Sequence, residues 1–385
     1  MQTLTNNAIN EILREKDYTP EEAMAFLRDR EHFISVSEGL KRELRNHGCH
    51  TDDDERLLSD FKEILKKAGF TTDQRKHASA WLNESKLPSP RYNYPVRLCF
   101  AFGLKGQAAL DFLWKVCKVN GFNFRRADDV VYCYCLENGK TYDEAGAIIN
   151  KYGAYTAEMQ YEKSDATKRT HTLRAVFNNL GSMSEIEFLE LLCANKKNFI
   201  EYSITANEEL ERICTNLKRI LKSDIKEYNR FKGYAALSGY DYDISIYPEI
   251  VYAFDRISKA SVGADTTFGS VMDNFPQSRY LADILNDVSA ATDKEHDKAR
   301  KLFLLLFFAN YALDTPPDSF FSDFVYEANE TLDRCGYAKL YPANPYDWLI
   351  LSCIKSLDAL DQTEDLTPVE LFNDVLELLA DESYS

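Results

Sequence analysis

The chain has 385 residues, 45% of them hydrophobic and 28% charged, with a formal net charge of −16. That is globular composition, and it excludes a disordered, collagen-like or coiled-coil chain. The length suggests two or three domains, and the most apolar run, 302–308, is far too short to span a bilayer.

The predicted elements are almost all helices, marked by apolar residues three and four apart. Thr19-Pro20-Glu21-Glu22 reads as an N-cap with proline at the first helical position, opening a helix that runs to residue 28. The next helix covers 57–68 and ends at Gly69. Another covers 72–83, and Pro88 and Pro90 enforce a loop after it. Residues 96–104 and 108–119 read as a helical pair split by Gly103 and Gly106. Helices over 128–136 and 142–152 follow, joined by the turn Asn138-Gly139. Ser184 with Glu187 is a capping box ahead of an apolar run. A long amphipathic helix is expected over 207–231. Residues 233–247, rich in Tyr and Gly, read as a loop or a short β-ribbon, and 260–280 as a connection. The expected class is all-α, built of multi-helix bundle modules. Four regions are drawn: an N-terminal helical extension (1–55), a basic helical module (56–152), a middle helical region (153–259) and an acidic C-terminal helical module (260–385).

Two segments share a layout. Residues 117–136 and 333–354 each carry Gly followed by an aromatic residue (Gly121-Phe122, Gly336-Tyr337). A short polar linker then leads to an Asp before an apolar helix (Asp129, Asp347), with a Cys six residues further on (Cys135, Cys353). This points to an internal duplication, with each Asp placed at a helix N-terminus to accept backbone N–H groups.

The nine cysteines sit mostly in apolar contexts with no CxxC pair, so reduced, buried thiols are expected. His47, Cys49 and His50 beside Asp52–Asp54 form the densest ligand cluster, but one loop does not supply a tetrahedral zinc site. No catalytic or nucleotide-binding motif occurs, so neither catalytic residues, a metal nor a cofactor is expected. The N-terminus lacks the pattern of a secretory signal, and a cytoplasmic protein without membrane contact is expected.

Charge is unevenly spread. Residues 56–126 hold 14 basic and 5 acidic side chains, whereas 236–385 hold 10 and 27. The basic segment offers a phosphate-contacting set: Lys66, Lys67, Arg75, Lys76, Lys86, Arg91 and Arg97. The acidic half is expected to meet a protein partner.

Ile64–Thr71, Leu87-Pro88-Ser89-Pro90-Arg91 and Val96–Leu104 together resemble a divergent helix-turn-helix protein of the lambda-repressor-like class, of a bacterial type. Gly336-Tyr337-Ala338-Lys339-Leu340-Tyr341-Pro342 with Asp347 is similar to a tail module seen in that class. The resemblance implies a regulatory or adaptor protein whose basic module, 56–126, contacts nucleic acid. The other reading is a helical protein–protein interaction scaffold, in which the basic charge serves the protein itself or an acidic partner.

Overall fold

The computed structural model describes residues 19–28, 33–83, 88, 93–156, 180–223, 296–314, 320–342 and 344–359. Within them the protein is helical and contains no strand. The segment 233–247, expected as a loop or β-ribbon, lies outside these residues. Backbone contacts gather the chain into two units. One is Ile34–Ala206 with Asp333–Ala338, and the other is Met1–Phe33, Asn207–Leu332 and Lys339–Ser385.

In chain order the helices are α1 (Pro20–Arg28), α2 (Val36–Asn46), α3 (Asp54–Lys67), α4 (Thr72–Arg75), α5 (Ala78–Asn83), α6 (Tyr94–Ala101), α7 (Gly106–Asp111), α8 (Ala127–Glu137) and α9 (Tyr142–Thr156). They continue as α10 (Glu185–Ala194), α11 (Lys196–Ser223), α12 (His296–Asp314), α13 (Phe320–Arg334) and α14 (Pro345–Ala359). Short polar side chains start several of them. Ser35 with Glu38, Thr71 with Gln74, and Ser184 with Glu187 form capping boxes, and Asp53 caps α3 through the N–H groups of Glu55 and Arg56.

The helix expected over 72–83 is broken into α4 and α5. Three-residue bonds, Lys76 N–H to Asp73 O and His77 N–H to Gln74 O, tighten the chain between them. Trp81 on α5 is thereby set among Phe61, Phe70 and Tyr94, while nothing on α4 is buried. The helix expected over 108–119 also changes character. Beyond α7 it widens into a π-helical turn, Phe112–Val116. That turn lets α2 approach closely: a Cβ on Gly39 would come within 2.5 Å of both Val116 methyl groups.

The unit built on 34–206 holds two apolar clusters. Leu40, Leu44, Phe61, Leu65, Leu98, Phe102 and Leu113 are among the residues of the first. Val130, Val131, Tyr134, Ile148, Phe188 and Leu192 belong to the second, where the Tyr134 and Phe188 rings stack 3.9 Å apart. Behind the π-turn, Lys118 is only 1% exposed, with φ 55°, and its ammonium donates to Lys115 O. Burial lowers its pKa to about 7, with Cys117 opposing.

The other unit is centred on an ion pair inside the core. Arg300 and Asp347 are 3% and 1% exposed at their side chains. Both guanidinium nitrogens donate to the carboxylate at 2.7 Å. Arg300 Nη2 also donates to Lys339 O at 3.2 Å, and the Tyr346 hydroxyl donates to Lys301 O at 2.8 Å. Phe26 of α1 stacks on Trp348 of α14 at 4.3 Å.

The two segments that look alike in sequence have the same local geometry. Asp129 Oδ2 accepts from Asn123 N–H at 2.9 Å, and Asp347 Oδ2 accepts from Tyr341 N–H at 2.9 Å, each across six residues. Turn bonds follow in both, Arg126 N–H to Asn123 O and Asn344 N–H to Tyr341 O. The first helical bonds then match, Val130 N–H to Arg126 O and Trp348 N–H to Asn344 O. The copies differ in charge. Asp347 holds Arg300, whereas burial pushes the Asp129 carboxyl up in pKa, opposed by Arg126.

Asp347→Ala should destabilise the protein by about 3–5 kcal/mol, since it strands a buried guanidinium. Urea unfolding checks this, and Arg300→Met with Asp347→Leu should cost much less. Lys118 gives a pH signature. Below about pH 7 both folded and unfolded chains carry its proton, and burying the ammonium costs most. Between pH 7 and 10.5 the folded chain sheds the proton first, so stability rises with pH. Lys118→Met should therefore stabilise more at pH 7 than at pH 8.5, by about 1–2 kcal/mol in paired unfolding curves.

Candidate functional site

Four helices end at one place. Helices α2, α3, α6 and α8 each stop at a glycine in the left-handed region: Gly48 (φ 85°), Gly69 (φ 79°), Gly103 (φ 57°) and Gly139 (φ 65°). Each stop has the same pair of bonds. The glycine N–H donates back to Arg45, Lys66, Phe100 or Leu136 O, and the next N–H, of Cys49, Phe70, Leu104 or Lys140, to Leu44, Leu65, Cys99 or Cys135 O. A side chain with a Cβ would be strained at all four positions. All four glycines line a single cleft of about 720 Å³.

Ile64, Phe100, Leu136 and Tyr142 provide its apolar surface, with the Phe100 and Tyr142 rings edge to face at 5.6 Å. Asp60, Glu63 and Asp143 bring carboxylates, and Lys66, Lys67, Lys105 and Lys140 bring ammonium groups. Four C-termini also bring roughly half a negative charge each. The protein answers with donors at three of them. Arg97 Nη2 donates to Gly69 O at 3.1 Å, Lys105 Nζ donates to Glu137 O at 3.1 Å, and His47 Nδ1 lies 3.2 Å from Glu43 O.

Arg97 also builds the corner between α3 and α4. Its Nη1 donates to Gln74 Oε1 at 2.9 Å, the same oxygen that accepts from Thr71 N–H in the α4 capping box. The guanidinium lies over the Phe70 ring at 4.1 Å and the Tyr142 ring at 5.0 Å.

Of the seven basic residues singled out in the sequence, five lie among the described residues. Lys66 and Lys67 are exposed and line the cleft, with Lys66 3.5 Å from Glu63. Arg75 is half-buried and donates to Thr72 Oγ1, and Lys76 is exposed and 2.6 Å from Asp73. Lys86 and Arg91 lie outside the described residues. Arg97 is a correction: it is 8% exposed and faces inward, because its donors serve Gly69 O and Gln74 while its face is covered by two rings. The same inward use recurs at Arg125, whose Nη1 donates to Arg334 O.

Sequence reasoning did not single out Asp60, Lys105, Lys140 or Asp143. Gly69, Gly103 and Gly139 were legible one by one as stops, Gly48 was not, and no local pattern says that the four meet. Burial raises the pKa of Cys99 and Cys133 well above the usual thiol value, the opposite of an activated nucleophile. Among the described residues no group of three His, Cys, Asp or Glu side chains is placed to hold a metal ion, and no helix is long and apolar enough to cross a membrane.

No family model, curated protein or solved structure matches the chain. The lambda-repressor-like resemblance therefore rests on the residues that carry it and nothing further.

Arg97→Lys should destabilise the protein by about 1–3 kcal/mol, because one ammonium cannot bond Gly69 O and Gln74 Oε1 in a plane and stay stacked. Thermal or urea unfolding of the full chain tests this.

Proposed function

We propose that the protein is a regulatory or adaptor protein that works by binding a protein partner through its helical surfaces. One observation carries this reading: of the fourteen basic side chains of 56–126, at least seven are engaged within the chain. Arg97, Lys105, Lys118 and Arg125 donate to main-chain carbonyls. Lys66, Lys76 and Lys115 pair with Glu63, Asp73 and Asp111. A basic segment used in this way needs no phosphate backbone to explain it.

A second reading, nucleic-acid contact, keeps one specific support. Arg97 bonds both sides of the α3–α4 corner, so Lys66 and Lys67 stand before a fixed bend and Arg75 and Lys76 after it. A rigid corner with four basic residues is a reasonable phosphate-contacting element in a divergent helix-turn-helix-like module.

Fluorescence anisotropy with labelled duplex and single-stranded oligonucleotides separates the two. The adaptor reading expects no binding at physiological salt and none that grows steeply as salt is lowered. Binding that falls with salt at a slope of about −3, and is lost in Lys66→Glu with Lys76→Glu, would overturn it in favour of phosphate contact.

A further inference from the structure

We propose that the π-helical turn Phe112–Val116 and the lysine that follows it form a pH-sensitive latch: when Lys118 takes up a proton, the segment 112–119 opens locally and releases its hold on α2. This inference is independent of the adaptor reading.

The segment is another helix stop, built differently from the four at the cleft. There the N–H after the glycine reaches back five residues, whereas Val119 N–H reaches back six, to Leu113 O. The π-turn accommodates the extra residue. The left-handed position is filled by Lys118, with φ 55°, where glycine would be unstrained. Its side chain folds back into the protein, and Lys115 O is the acceptor for its ammonium. Lys118 is 1% exposed, between Cys117 at 0% and Val119 at 5%. Backbone strain and a buried cation thus sit on one residue, and one movement relieves both. If 112–119 lifts, the backbone leaves the left-handed region and the ammonium reaches water.

The charges around Lys118 do not offset the cost of burying it. Cys117 is the ionisable neighbour that acts on it, and it only opposes the effect of burial. The helices packed on the π-turn are α2, α6 and α7. On α2, Glu38 is held in its capping box, Lys41 on Asp54 and Glu43 beside Arg42, while Arg45 is exposed. On α6, Arg97 faces Gly69 and Gln74, the Tyr94 ring packs on Phe70 and Trp81, and burial raises the Cys99 thiol. On α7, Asp111 pairs with Lys115. Burial therefore decides, and lowers the Lys118 pKa to about 7. In the open segment the lysine titrates at its ordinary value of 10.5. Between these values the open form holds a proton that the closed form lacks, so lowering the pH favours opening, and below about pH 7 the effect levels off.

The latch reaches α2 through Val116. This residue is 0% exposed, and its methyl groups meet Gly39, where a Cβ would come within 2.5 Å. A contact this close is lost as soon as the turn moves, so opening frees α2 on the Gly39 face.

Hydrogen exchange of the full chain, followed by mass spectrometry at pH 6.5 and 8.5, tests the latch, with each rate divided by the intrinsic rate at that pH. Peptides covering 112–119 should be about tenfold more open at pH 6.5, and those covering 57–65 of α3 should not change. Lys118→Met should abolish the difference. Lys118→Gly should abolish it too, and glycine suits the left-handed position. Equal opening of 112–119 at both pH values in the unaltered protein would overturn the proposal. So would a pH effect that survives in the variants. A change of the same size over 57–65 would also overturn it, since that means global unfolding and not a local latch. Circular dichroism verifies that the variants fold, and either one suffices.

Discussion

Four helix C-termini converge on one cleft, and much of the unit around them follows from that crowding. A helix end leaves carbonyls without partners and a partial negative charge. Placed together, four such ends repel one another and each must turn the chain sharply. The turn requires a left-handed residue, which explains Gly48, Gly69, Gly103 and Gly139. The charge requires donors, which explains why Arg97, Lys105 and His47 reach back to carbonyls. Two basic side chains of 56–126, Arg97 and Lys105, thus serve the helix ends.

Buried charge is handled the same way elsewhere in the chain. Arg300 is neutralised by Asp347 and also donates to Lys339 O, and Asp347 in turn accepts from Tyr341 N–H. Arg125 donates to Arg334 O, and Lys118 to Lys115 O. In each case a cation in an apolar setting is joined to a backbone oxygen. Such groups contribute little net stability, but removing one partner strands the other, so they fix a particular arrangement of helices. The corner between α3 and α4 is the clearest example, because one guanidinium touches both sides of it.

For function, the important contrast is between engaged and unengaged charge. Basic side chains around the cleft are largely tied to carbonyls or acids, while Asp60 and Asp143 are not.

The sequence by itself determined most of the helices and several of their ends. Apolar periodicity marked most segments, Ser184 with Glu187 announced a capping box, and Gly69, Gly103 and Gly139 announced stops, since these signals act within a few residues. The shared Asp-to-Cys spacing also made the matching geometry at Asp129 and Asp347 legible. Tertiary structure decided the rest. It broke the segment 72–83 so that Trp81 meets Phe61, Phe70 and Tyr94, and widened the segment after α7 into a π-turn against Gly39. It turned Arg97 from a surface candidate into a core brace. It also brought Asp60 and Asp143 to one cleft from positions 83 residues apart in the sequence. Those outcomes depend on contacts between distant segments, and no local pattern of residues encodes which helix ends will meet.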